Sequence, residues 1–186
     1  MIESTLFKSV DIVTNSQLLN GDVLIEDGKI AAIAPNISAS AEAVIADSGL
    51  TLLPGIIDPH VHFRDPGATH KEDLASGSMA AAAGGVTTFF DMPNTNPATI
   101  TCEALAKKKQ HAAENSLVNY NFFIGATADN LAECINAENI PGIKIYVGSS
   151  TGTLLVDQPE KLDAIFKQSP HLIAVHSEDE AMIQQK

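Results

Sequence analysis

Apolar and polar positions along this chain fall into two rhythms. Up to about residue 53, apolar residues come in short runs of strand length, in one place alternating with polar residues at the period of two of a half-buried strand. "LFKSVDIV" (6–13) alternates in this way, and "DVLIEDGKIAAIA" (22–34) is two apolar runs joined by Asp27-Gly28. Asp-Gly at that place predicts a hairpin, because both central positions of its turn need a positive φ. "AVIAD" (43–47) and "TLLPG" (51–55) supply further strand material. The expectation is a small antiparallel β-sandwich segment over 1–53, structural and without chemistry of its own.

From Pro54 onward the rhythm changes. Strand-like runs "GIIDPHV", "GVTTFFDM" (85–92), "LVNYNFFIGA" (117–126), "GIKIYV" (142–147) and "HLIAVHS" (171–177) alternate with helical stretches. The helices fall over 72–84, 101–116, about 129–137 and 157 to about 168, with the tail starting another. Thr101 is placed to cap the second, and Asp157 with Glu160 reads as a capping box for the fourth. Apolar strands alternating with helices form a parallel sheet covered by those helices. No glycine-rich phosphate loop of the GxGxxG or GxxxxGKS type follows any strand, which disfavours a dinucleotide-binding sheet. The expected class is therefore α/β: a partial (β/α)8 TIM-type barrel, about its first five strands, filling a second domain over 54–186.

Composition narrows the partners. With 45% hydrophobic and 18% charged residues over 186 positions, the chain has the make-up of a folded protein. A formal net charge of −12 argues against nucleic acid. Cys102 and Cys134 form no CxxC and fall in helical stretches, which fits packing residues in a reducing compartment. No apolar run is long enough to span a bilayer. A cytoplasmic protein without a membrane partner is the expectation.

The candidate chemistry sits at strand ends. In "DPHVHFRD" (58–65), His60 and His62 are two apart and so face one side of a strand, with Arg64 able to continue that side. Two neutral imidazoles can chelate a divalent metal at about 2.0–2.1 Å per bond. In a parallel barrel the strand ends share one mouth, which brings in His176 from the fifth strand and puts Lys144, in the fourth, within reach. Packed histidines are the plainer alternative, as is a Lys144 that snorkels to solvent. The sharper reading of Lys144 is an amine made neutral by burial and nearby cations, nucleophilic enough to add carbon dioxide. Arg64 offers a planar fork for a carboxylate, or an ion pair with Asp65. Asn94 lies in "PNTNP", where turn duty is the default for asparagine. His70 and Lys71 read as solvated, His111 as lying on the solvent face of its helix, and His171 as structural. "GSSTG" (148–152) reads as a βα loop, mobile active-site segment or plain connection.

In combination, "PGIIDPHVHFRDPG", "AAAAGGVTTFFDMPNTNP", "GIKIY" and "AVHSED" closely resemble dihydroorotases of the amidohydrolase superfamily, from about residue 50 to 186 and more loosely before it. The resemblance implies a zinc-dependent hydrolase of a cyclic amide, interconverting N-carbamoyl-L-aspartate and L-dihydroorotate in pyrimidine synthesis. It implies that His60 and His62 bind one metal, that a carboxylated Lys144 bridges two, and that His176 binds the second. Arg64 and Asn94 match positions that hold the substrate. A general acid–base carboxylate is expected beyond Lys186, so the chain reads as the first part of a longer enzyme, inactive as it stands. Homo-oligomers and an association with aspartate transcarbamoylase belong to the same expectation. Two alternatives share the motifs: an allantoinase or hydantoinase, and a non-catalytic scaffold.

Overall fold

The computed structural model describes residues 3–47, 49–148, 154–179, 182–183 and 185. The chain divides into two compact units, Met1–Pro54 and Gly55–Lys186.

The first unit is one five-stranded sheet. β1 (Ser4–Val13), β2 (Leu18–Glu26) and β3 (Lys29–Ala34) pair antiparallel in the order β3-β2-β1. The β2–β3 hairpin turns at Asp27 and Gly28, with φ of 50° and 71°, as the Asp-Gly signal requires. The expectation of a purely antiparallel unit fails at β4 (Ala43–Ala46) and β5 (Thr51–Leu52). Both pair parallel to β1. A tight turn reverses a chain, but residues 35–42 instead carry it back along the sheet, so β4 starts level with Thr5 and runs the same way as β1.

β1 is itself interrupted. Its register shifts between Phe7 and Val10, and Ser9 takes a φ of 55°. The buried Asp22 on β2 pins this bulge. Its carboxylate accepts the backbone N–H of Ser9 and of Ile37, both at 2.9 Å, and lies 3.3 Å from Lys8 Nζ. Those backbone donors, Ile37 first, hold its carboxyl below the usual value.

The second unit alternates strand and helix: β6 (Ile56–Val61), α1 (Leu74–Ala83), β7 (Val86–Asp91), α2 (Cys102–Asn115), β8 (Asn119–Phe122), β9 (Ile124–Gly125), α3 (Leu131–Asn136), β10 (Ile143–Tyr146), α4 (Pro159–Gln168) and β11 (Ile173–His176). All pairings in this unit are parallel, in two three-stranded ladders, β6-β7-β8 and β9-β10-β11. β8 and β9 are consecutive pieces separated only by Phe123, so the strands stand side by side in chain order. Helices close each crossover, the connection a parallel pair needs.

Helix ends follow local chemistry. Asp73 and Ser76 form a capping box on α1, and the Thr101 hydroxyl accepts the Ala104 N–H on α2. The capping box expected from Asp157 is not formed. α4 starts one residue later, with Gln158 as N-cap and Pro159 in the first turn, where its missing N–H needs no partner.

One apolar cluster lies between strands and helices. Phe63, Phe89, Phe122, Ile124, Ile143 and Ile145 from the sheet side meet Leu74, Leu105, Ala112, Cys134 and Ile165 from the helices. α1 comes close enough that a Cβ on Gly77 would stand 2.8 Å from the Phe63 ring. No helix among the described residues is long and apolar enough to cross a membrane. Residues 149–152 of the "GSSTG" loop, and most of the helix expected in the tail, lie outside the described residues.

Candidate functional site

Alternation along each strand sorts side chains onto two faces. On β6 and the residues after it, Val61 and Phe63 join the helix-side core, so His60 and His62 take the opposite face. On β10, Ile143 and Ile145 are core, and Lys144 and Tyr146 take the opposite face. On β11, Ile173 packs on the core, and His176, three residues on, faces the other way. His60, His62, Lys144, Tyr146 and His176 therefore share the face that the helices leave open, toward the carboxyl ends of parallel strands.

The two histidines of the pair are neighbours, with ring centroids 5.2 Å apart. Their surroundings differ. Burial first, then the charges of Lys144 and His62, hold the His60 imidazole below its ordinary value. Asp58 opposes this, and His176 adds to it. A neutral His60 is the form that ligates metals. His62 is fixed by Asn94: its Nδ1 lies 2.8 Å from Asn94 Oδ1. An amide oxygen only accepts, so Nδ1–H donates and Nε2 is left with its lone pair.

Lys144 is only 3% exposed. Burial lowers its ammonium pKa, as expected for a charge taken out of water. Its Nζ stands 5.1 Å from the centre of the Tyr146 ring. Tyr146 is 6% exposed, and its hydroxyl has no hydrogen-bond partner among the described residues. Burial, with the charge of Asp91 second, pushes that phenol up to about 12. Tyr146 also pairs in register with His176, the ring centroids 6.1 Å apart. His176 is half-exposed, its Nε2 3.6 Å from Glu178 Oε2.

Among the described residues, no group of three or more His, Cys, Asp and Glu is gathered closely enough to hold a metal ion. The donor set that fits such an ion is of another kind: two adjacent imidazoles, one with its free nitrogen fixed by Asn94, beside a buried amine. Arg64 is exposed beyond the histidines. Asp65 is not its ion-pair partner, because that buried carboxylate accepts the Leu74 N–H at 3.2 Å and lies 2.9 Å from His111 Nε2. His111 thus makes a specific contact rather than only facing solvent. His70 and Lys71 are exposed, and His171 lies 3.4 Å from the Ile135 carbonyl.

Of two residues behind the pair, Asp91 is legible in the sequence as a polar strand end, while Lys108 is given no role there. Asp91, fully buried at the end of β7, accepts the Phe63 N–H at 2.9 Å and the Lys108 ammonium at 2.6 Å. Met92 N–H donates to the Val61 carbonyl at 3.0 Å. These bonds clamp the backbone on both sides of His62 to the end of β7. Burial raises the Asp91 carboxyl above its ordinary value, against the pull of Lys108. Lys108 was legible after all: Leu105, Lys108 and Ala112 form the buried stripe of α2 at helical spacing.

The comparisons give the class of this parallel α/β unit, with its histidines and buried lysine on one open face, as a hydrolase family. The model of the amidohydrolase family matches residues 51–165, and the chain belongs to that family. Within it, the chain is 36% identical over 180 residues to a dihydroorotase of Methanosarcina acetivorans, covering 94% of this chain and 38% of that protein. It is 40% identical over 136 residues to an allantoinase of Desulfitobacterium hafniense, covering 69% of this chain and 30% of that protein. A solved L-hydantoinase from Arthrobacter aurescens superposes with a TM-score of 0.88 at 30% identity, covering all of this chain and 43% of that one. The chain thus spans less than half the length of these relatives.

Proposed function

We propose that the protein carrying this sequence is a zinc-dependent cyclic amidohydrolase that interconverts N-carbamoyl-L-aspartate and L-dihydroorotate, and that the second unit supplies the first five strands of a (β/α)8 barrel. The observation that carries the reading is the shared open face. His60 and His62 would hold one metal ion, His176 a second, and Lys144, carboxylated, would bridge them. Bound zinc would supply Lewis-acid polarisation of the ring amide and a water of lowered pKa.

The chain's own residues prepare that site. Asn94 keeps His62 in the tautomer that offers Nε2. Burial of Lys144 favours the free amine, the form that adds carbon dioxide. Arg64, permanently charged and exposed, presents a two-pronged donor that matches the substrate carboxylate. That arginine favours an acidic ring over the neutral rings of hydantoin and allantoin. The identity to an allantoinase and the L-hydantoinase superposition support the second reading, a hydrolase of neutral cyclic ureides.

The test is turnover of dihydroorotate, hydantoin and allantoin by the protein loaded with zinc in bicarbonate, alongside an Arg64→Met variant. Dihydroorotate turnover that Arg64→Met lowers mainly through KM supports the first reading. Hydantoin or allantoin turnover that is indifferent to Arg64 establishes the second. Absence of bound zinc in elemental analysis would overturn both.

A further inference from the structure

Tyr146 has an unmet need that the proposed site would meet. Its phenol is buried to 6% exposure, yet among the described residues the hydroxyl has neither donor nor acceptor within reach. Buried polar groups are nearly always satisfied, so an orphan among the described residues calls for a partner beyond them. Its position says which. Lys144 and Tyr146 are two apart on β10 and so lie on one face, with the Lys144 Nζ 5.1 Å from the ring centre. The nearby carboxylate is already taken. Asp91, whose charge acts on the phenol, is engaged with Phe63 and Lys108.

We infer that the Tyr146 hydroxyl donates a hydrogen bond to a carbamate formed on Lys144, which makes Tyr146 a positioning residue for that modification. The inference rests on the carboxylated lysine of the proposed function. In the modifying step the neutral Lys144 amine attacks carbon dioxide. A nitrogen–carbon bond forms, one carbon–oxygen π pair moves onto oxygen, and an amine proton leaves to solvent. No oxidant or reductant is needed. The product is an acceptor-only anion in place of a cation. A buried anion needs donors, and the phenol, with an ordinary pKa near 10, keeps its proton at neutral pH.

The test uses 13C-labelled bicarbonate with the zinc-supplemented 186-residue chain and reads the carbamate carbon by NMR. Lys144→Ala identifies the resonance. Tyr146→Phe keeps the ring and deletes only the hydroxyl. The expected result is a carbamate signal in the unaltered chain, with the bicarbonate needed for half-occupancy raised about tenfold or more in Tyr146→Phe, the lower end for a hydrogen bond to a charged group. A thermal melt guards against a folding defect. Without bicarbonate, Tyr146→Phe should melt no lower than the unaltered chain, because it removes an unsatisfied polar atom. With bicarbonate, the unaltered chain should gain more. Equal carbamate occupancy in both proteins overturns the role of Tyr146 and leaves the carboxylated lysine standing. No Lys144-dependent signal in the unaltered chain overturns the carboxylated lysine itself.

Discussion

His62 shows how much of a site is decided by a single neighbour. The alternation of "HVH" places both imidazoles on one face, but it says nothing about which ring nitrogen is free. That is settled by Asn94, 32 residues away in sequence and 2.8 Å away in space. A partner of this kind sets ligand orientation and basicity, and its loss typically costs 10–100-fold in metal affinity. At the metal site proposed for His60 and His62, Asn94→Ala is expected to weaken zinc binding by about that factor, measured by competition with a chromophoric chelator; unchanged affinity would remove Asn94 from this role. Lys108 makes a second case. Its ammonium and Asp91 are both buried, so removing one partner strands the other. Lys108→Ala should cost about 3–5 kcal/mol in urea unfolding. The pH dependence follows from Asp91. Its folded pKa is raised, so between the ordinary carboxylate value and that raised value the folded state holds more protons than the unfolded one. Its contribution to stability is thus greatest below the ordinary value and falls as pH rises through the window. Without Lys108 to offset burial, the window should extend further upward. These contacts escaped the sequence because each joins residues on different elements, and no local pattern encodes a partner 17 or 32 residues away.

At the scale of elements, local signals read well and directions read poorly. The Asp27-Gly28 hairpin, the Thr101 cap and the five strand–helix alternations depend on neighbours within a few residues, and they stand where those neighbours put them. The parallel approach of β4 and β5 to β1 depends on where residues 35–42 lead, which apolar spacing does not encode. Asp22 is the same lesson in one residue. In the sequence it is the polar position at the start of a strand; in the sheet it holds the β1 bulge and the start of that returning segment. Its folded pKa is depressed. The stability it contributes is therefore fully present above its ordinary carboxylate value and is lost as pH falls through the depressed one. Asp22→Asn should flatten the fall of the first unit's melting temperature below about pH 4, where an Asp begins to protonate. An unchanged acid slope would show that other carboxylates control it.

At the scale of the molecule, apolar edges and net charge oppose one another. The parallel row ends in β6 on one side and β11 on the other, and neither has a further strand paired to it among the described residues. Ile56 and Ile57 on β6 are more than half exposed, as is Leu172 beside β11, with Val175 on β11 at 38%. Unpaired strands carrying apolar side chains template pairing with a second copy. A formal charge of −12 pushes copies apart, over a distance set by the salt. The 186-residue chain should therefore sediment more slowly in low salt than in high salt, where screening shortens the repulsion to a few ångströms and the edges decide. Val175→Lys places a charge on one edge and should shift the high-salt distribution back toward the monomer, with the far-UV circular dichroism unchanged. A chain that stays monomeric at both ionic strengths would mean that the edges are too short or too twisted to pair. One that associates more in low salt would mean that attraction between charged patches, not apolar edge pairing, holds the copies together.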